Sequence, residues 1–236
     1  ELPTPKDYYH PGSTITGLSL SDEQDVEHLE FADDYWRGST YFDLVFQPAE
    51  GLLLTPGFRI ETWNHPGGSV LLWDPRFVAR WQIGGGVSVK GGVGRFSQPP
   101  QPGNMDETYG NPDLGPEWAM HYSAGLEWQP YDKLIIDVQG YYTRTYDLVT
   151  QAGALEADDD GSVSTASFLN TGYGRSYGME LLIKHAPTDY FYGWIAYTLA
   201  RSELAGFDFI KGDAGAAGNT GDLVLSPFDQ THILSV

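Results

Sequence analysis

The chain has 236 residues, with 13 Lys plus Arg against 32 Asp plus Glu and a formal net charge of −19. That balance excludes a nucleic-acid binder, which needs a basic face to meet a phosphate backbone, and an aromatic content of 14% excludes a disordered acidic tail. There is no cysteine, hence no disulfide framework or thiol chemistry, and no apolar run approaches the roughly 18 residues of a transmembrane helix.

Glu1 to Lys6 has neither the basic nor the apolar region of a signal peptide, so such a leader is expected to have been removed or to lie outside this stretch. From there the dominant rhythm has a period of two, the mark of half-buried strands. A first strand is expected over 13–20. Along 35–46, Trp36, Gly38, Thr40, Phe42, Leu44 and Phe46 alternate with Arg37, Ser39, Tyr41 and Asp43. Strands over 52–63 and 76–83 follow; in the latter Phe77, Ala79, Trp81 and Ile83 oppose Arg76, Arg80 and Gln82. Gly84-Gly85-Gly86 reads as a hairpin turn into a strand over 87–97, not as a dinucleotide fingerprint, because no helix follows. The clearest alternation is 117–128, where Trp118, Met120, Tyr122, Ala124, Leu126 and Trp128 oppose Glu117, His121, Ser123 and Glu127. Strands over 133–149, 167–185, 191–203 and 227–236 bring the expected number to ten.

Short connections at 47–51, 84–86, 129–132 and 186–190 alternate with long ones at 21–34, 64–75, 98–116, 150–166 and 204–226. Tight turns at one rim and long loops at the other are the pattern of an up-and-down outer-membrane barrel. Charge placement tests this independently. Arg37, Asp43, Arg59, Glu61, Arg76, Arg80, Lys90, Glu117, Glu127, Lys133, Asp137, Glu180 and Lys184 all fall on the polar parity, which in a barrel faces the lumen. Arg95, Arg144, Arg175, Arg201 and Glu203 depart from it, far enough from the short turns to sit at or above the outer interface. A charge facing mid-bilayer lipid costs about 2–4 kcal/mol, enough to shape such a pattern. Trp118 and Trp128 lie ten residues apart on the apolar parity. That is about 33 Å along a strand, or about 25 Å after a tilt of about 40°, the spacing of two interfacial girdles. Trp36, Trp81, Trp118 and Trp128 are the expected interface aromatics; the competing reading makes such tryptophans the caps of a soluble core.

Two acidic segments, 21–34 and 156–160, read either as solvated surface or as cation sites, with Asp158, Asp159 and Asp160 the candidate ligands. Neither has EF-hand spacing, and the six histidines show no metal-ligand spacing. No nucleophile elbow or phosphate-cradling loop is present, so no catalytic residue is assigned and no cofactor is expected. On the lumen parity, Arg59, Arg76, Arg80, Lys90 and Glu127 read either as a salt-bridged wall or as the lining of a solute path.

Several stretches together resemble the barrel portion of a TonB-dependent outer-membrane receptor. They include Leu54-Thr55-Pro56-Gly57-Phe58-Arg59, Asp74-Pro75-Arg76-Phe77, Lys90-Gly91-Gly92-Val93-Gly94-Arg95-Phe96, Asn170-Thr171-Gly172, Gly178-Met179-Glu180, Tyr197-Thr198-Leu199-Ala200-Arg201-Ser202 and Phe228-Asp229-Gln230-Thr231-His232-Ile233-Leu234. The most specific is Asn111-Pro112-Asp113-Leu114-Gly115-Pro116-Glu117, leading from a long loop into a strand. The resemblance implies an all-β, antiparallel, up-and-down transmembrane barrel of the 22-stranded type with an N-terminal plug. It implies a non-enzymatic receptor in the cell outer membrane of a Gram-negative bacterium, importing a scarce siderophore, cobalamin, saccharide or similar solute. The expected partners are that solute, outer-membrane lipid and a TonB-type energy-coupling protein acting through a plug. No plug or TonB box is recognised here, and Val236 falls inside a strand without a terminal aromatic. Residues 1–236 are therefore expected to be an internal piece of a partial barrel domain. A passive porin or adhesin-like barrel, and a soluble all-β carbohydrate-binding or carbohydrate-active protein, are the competing readings.

Overall fold

The computed structural model describes residues 35–65, 67–106, 110–151, 168–206 and 222–236. The described residues form one antiparallel sheet of eleven strands. In chain order these are β1 (Trp36–Asp43), β2 (Phe46–Ala49), β3 (Leu52–His65), β4 (Gly68–Gly84), β5 (Val87–Gln98), β6 (Glu117–Tyr131), β7 (Leu134–Gln151), β8 (Phe168–His185), β9 (Gly193–Ala205), β10 (Val224–Leu225) and β11 (His232–Ser235). From β3 to β9 each strand pairs with the next. β1 and β2 both pair with β3, and β10 and β11 both pair with β9. This is an up-and-down meander with no crossover. β7 and β8 have 18 residues each, about 60 Å of extended chain, which far exceeds an ordinary soluble strand.

The alternation read from sequence is the alternation of the two faces. Directly opposed residues point to the same side, and the register lines up Arg80, Lys90, Gly125, Gln139, Glu180 and Thr198 across six strands. The other face carries Leu71, Trp73, Phe77, Trp81, Val93, Tyr122, Leu126 and Trp128, all exposed. An apolar face this large left uncovered is not that of a water-soluble sheet.

The short-turn rim follows the expected chemistry. Gly84, Gly85 and Gly86 take φ values of +102°, +61° and +75°, which glycine reaches without penalty. A Cβ on Gly86 would stand 2.1 Å from the Gln129 carbonyl oxygen, whose own amide donates to the Gly86 carbonyl at 2.8 Å.

Three expectations are corrected. The segment 64–75 is not a long loop: β3 runs up to His65 and β4 starts at Gly68, where φ is +143°. Short and long connections therefore do not alternate strictly. Asp74-Pro75 does not interrupt β4, because a proline removes one ladder donor without ending the extended conformation; Pro75 simply faces Phe58. The strand expected over 35–46 is two strands, bridged by the Leu44 amide donating to the Pro56 carbonyl. The strand expected over 227–236 is confined to His232–Ser235. Between β10 and β11 the Asp229 carboxylate accepts the Ser202 amide at 2.6 Å, taking a ladder partner's place. The strand expected over 13–20 lies outside the described residues.

What core the sheet has lies at the long-loop rim, on the charged face. Trp63, Met105 and Leu114 are fully buried there, with Tyr35, Val70, Val149 and Phe168 packed around them. Met105 ends a short 3-10 turn, Pro102–Met105, so the connection between β5 and β6 folds over that face instead of standing away from it.

Candidate functional site

The polar face is an ordered set of ion pairs. Arg37 and Arg59 both contact Glu61, whose side chain is only 2% exposed. Arg76 pairs with Asp43 through two contacts, its Nε at 2.9 Å from Oδ1. Arg80 reaches Glu127 at 2.5 Å, and Lys90 pairs with Asp137.

Three of these pairs skip a strand. Arg76 on β4 crosses β3 to reach Asp43 on β1; Arg80 on β4 crosses β5 to Glu127 on β6; Lys90 on β5 crosses β6 to Asp137 on β7. Crossing needs a small residue on the strand beneath. Under the first pair stands Gly57, where a Cβ would lie 2.0 Å from the Asp43 Oδ1. On the second path Ser88 accepts from Arg80 Nη2 at 3.3 Å. Opposite Lys90, β6 presents Gly125. Arg80 and Lys90 are themselves directly opposed, a like-charge pair that would be unfavourable without the two carboxylates.

Beside this network the same face opens into a cavity of about 400 Å³, with Arg76, His121, Gln139, Tyr141, Thr143 and Glu180 as its polar wall. Its floor includes Gly92 and Gly94, which leave β5 without a side chain between Lys90 and Phe96 on this face. Of the residues singled out from sequence, Arg76 lines the cavity, while Arg59, Arg80, Lys90 and Glu127 stand in the ion-pair network. Sequence reasoning missed the neutral lining residues His121, Gln139, Tyr141 and Thr143. Their signal was present: they share the polar parity of the charged residues, and the Gly91-Gly92-Val93-Gly94 run opposite them leaves space.

The interfacial candidates all lie on the apolar face. Trp81 and Trp128 sit near the short turns; Trp36 and Trp118 lie toward the other rim. Trp118 stacks on Tyr146 with centroids 4.0 Å apart, and its Nε1 donates to Asp147 Oδ2 at 2.7 Å. Asp147 reaches that position through a left-handed backbone, φ +55°, at a bulge in β7.

The Asn-Pro-x-Leu-x-Pro-Glu run is a clamp. Asn111 Nδ2 donates to the Phe168 carbonyl at 2.8 Å. Asn170 receives the Gly115 amide on Oδ1 at 2.7 Å and returns a bond from Nδ2 to the Gly115 carbonyl at 3.0 Å. Glu117 accepts the Val149 amide at 2.7 Å. No group of three or more His, Asp or Glu able to hold a metal occurs among the described residues. Asp158, Asp159 and Asp160 lie outside them. No helix among the described residues is long and apolar enough to cross a membrane, which says nothing of strands.

Residues 4–230 match the family described as TonB dependent receptor-like, beta-barrel. The chain belongs to that family. Its fold is accordingly that of an antiparallel up-and-down receptor barrel, of which these strands form part. Members of the TonB-dependent receptor family are outer-membrane proteins of Gram-negative bacteria. No curated protein matches the chain. Solved receptor barrels do. The ferric-catecholate import receptor Fiu of Escherichia coli K12 superposes with a TM-score of 0.53 at 18% identity, covering 72% of this chain and 28% of its own. The siderophore receptor PirA of Pseudomonas aeruginosa gives 0.56 at 17% identity, covering 72% and 37%. The outer membrane transporter YddB of E. coli gives 0.60 at 14% identity, covering 72% and 25%. At such identities the likeness is one of fold, and the chain spans well under half the length of each of these TonB-dependent receptors or transporters.

Proposed function

We propose that these strands are a stretch of the wall of a larger outer-membrane receptor that binds a scarce extracellular solute and imports it with energy relayed by a TonB-type protein. The observation that carries the reading is the separation of the two faces. Cations and carboxylates are matched on one side, and an uncovered apolar surface with aromatic rows fills the other. That is the arrangement a strand needs between lipid and a polar interior. Family membership supports transport over catalysis, and we assign no catalytic role to any residue. Among the described residues β1 and β11 do not pair with each other, which supports a barrel completed by further strands, since lipid tolerates no open sheet edge.

In this reading Arg59, Arg76, Arg80, Lys90 and Glu127 form the polar lining along the solute path. Arg76, Arg80 and Lys90 each have a carboxylate of their own, and Arg59 shares Glu61 with Arg37, so most of the wall's charge is compensated in place. The cavity at Arg76, His121, Tyr141 and Glu180 gives a passing solute its hydrogen-bonding contacts. A siderophore, cobalamin or saccharide fits such a lining.

The test uses the full-length receptor in its own outer membrane. A strain lacking the gene and a strain lacking the energy coupler are compared with the parent for uptake of ferric siderophores, cobalamin and oligosaccharides. Loss of uptake of one solute in both strains supports the proposal. Uptake that persists without the coupler indicates a passive pore, and recovery of the folded protein in the soluble fraction overturns the membrane reading.

A further inference from the structure

The charges that break the face rule form a group of their own. Arg95 on β5, Met120 on β6, Arg144 on β7, Arg175 on β8 and Glu203 on β9 are successive register partners, so they make one transverse row on the apolar face. Arg201 lies two residues from Glu203 on the same side. These four arginines are a large share of the 13 cationic residues in an acidic chain. Their counter-charge is meagre. Both oxygens of Glu203 are taken, one by Arg175 Nε at 2.5 Å and one by Arg201 Nε at 2.7 Å. Arg144 and Arg95 have no carboxylate partner among the described residues. Arg144 lies over the Tyr146 ring at 5.2 Å, and Arg95 lies between Trp73 and Trp118 at 5.4 and 5.1 Å. Arg144 and Arg175 are directly opposed on neighbouring strands. Like charges so placed repel. The other face keeps a closer balance: Arg76, Arg80 and Lys90 each meet a carboxylate of their own and Arg37 and Arg59 share Glu61, so four carboxylates serve five cations there, against Glu203 alone for four arginines here.

We propose that Arg144, Arg175 and Arg95 bind the phosphate of a phosphorylated lipid headgroup in the outer leaflet. The proposal rests on the reading of the sheet as an outer-membrane wall. Height supports it. Arg144 is ten residues from the start of β7 at Leu134, and Arg175 ten from the end of β8 at His185. That is about 33 Å of strand, or about 25 Å after a tilt of about 40°; on β6 the row's Met120 is two residues below Trp118 of the upper girdle, about 5 Å of depth, which an arginine spans by extending toward the interface. The long-loop rim, which faces outward in such barrels, is the nearer one. Headgroup phosphates lie at that level. Guanidinium groups match phosphate geometry through paired N–H donors. Below the row, exposed Tyr142, Tyr177 and Met179 offer an apolar surface for acyl chains, which a free anion does not need.

Full-length receptor purified in a neutral detergent is titrated with lipid A carrying two phosphates, with lipid A after phosphate removal, and with inorganic phosphate. Bound lipid is read by native mass spectrometry. The expected result is retention of the phosphorylated lipid, no retention of the dephosphorylated one, and no displacement by millimolar phosphate. Arg144→Gln leaves both Glu203 ion pairs intact and is expected to weaken binding about tenfold, the loss of a charge-assisted contact. Arg95→Gln provides a second variant should the first not fold. Lys184→Gln, with the same charge change on the opposite face, is expected to bind lipid as the parent does. Unchanged binding in Arg144→Gln and Arg95→Gln overturns the proposal, as does equal retention of dephosphorylated lipid. Displacement by micromolar phosphate also overturns it, replacing a lipid site with one for soluble anions. A receptor that is absent from the outer-membrane fraction overturns the wall reading itself, an outcome separate from these.

Discussion

Ala124 and Ser123 are adjacent on β6 and face opposite ways, so a matched pair of substitutions measures what each face touches. Ala124 is four residues from Trp128 and six from Trp118, near the middle of the strand between the two tryptophans. Four residues correspond to about 13 Å of strand, or about 10 Å of depth after a tilt of about 40°. In an apolar band about 25 Å tall this places Ala124 about 2–3 Å from the midplane. Ala124→Arg removes no packed side chain, so its cost is that of presenting a guanidinium to mid-bilayer lipid, about 2–4 kcal/mol. Ser123 lines the cavity on the polar face, and Ser123→Arg is expected to cost less than about 1 kcal/mol, as for a tolerant polar surface. The assay is urea unfolding of the full-length receptor in phosphatidylcholine vesicles, followed by tryptophan fluorescence. Equal costs for the two variants, or a cost below about 1 kcal/mol for Ala124→Arg, would refute the assignment of faces.

Trp63→Ala empties a fully buried site against Met105 and Leu114, with an expected loss of about 3–5 kcal/mol and faster proteolysis within 99–116, read by mass spectrometry of the fragments. Gly57→Ala puts a methyl group where Arg76 and Asp43 meet. It is expected to remove the effect of Arg76→Gln, so that the double variant is no less stable than Gly57→Ala alone in a double-mutant cycle. For Arg80 and Glu127, whose side chains are 36% and 25% exposed, the cycle is expected to yield a coupling of about 0.5–1 kcal/mol that shrinks at 1 M salt; a coupling indifferent to salt contradicts a solvated pair.

The fold was legible in the sequence wherever one physical demand dominated. A half-lipid, half-polar strand must alternate, so β6 and β7 could be read almost to their ends, and the polar parity of Arg76, Arg80 and Lys90 needed nothing beyond counting. The extension of β3 to His65 and of β4 back to Gly68 was not legible, because Gly67, Gly68 and Pro75 are residues of turns and strands' ends in most contexts, and here the pairing of β3 with β4 overrides that local preference. The polar cavity was half legible. Charge drew attention to Arg76 and Glu180, whereas Tyr141 and Gln139 matter through the space left by Gly92 and Gly94, a property of the opposing strand. The clamp joins Asn111 to Phe168 and Asn170 to Gly115, positions 57 and 55 apart in sequence, by side-chain-to-backbone bonds, and periodicity carries no information about these.

The ion pairs that pass over an intervening strand bear on the order of assembly. A finished β4–β5 hairpin sets Arg80 against Lys90 while the counter-ions of both are still to come, since Glu127 arrives with β6 and Asp137 with β7. β6 and β7 thus each relieve part of the repulsion between Arg80 and Lys90 and fix the alignment of two strands that never touch through their backbones. A growing sheet built on this plan is reluctant to pause at a hairpin and rewards continuing, so that zippering runs onward from one strand to the next.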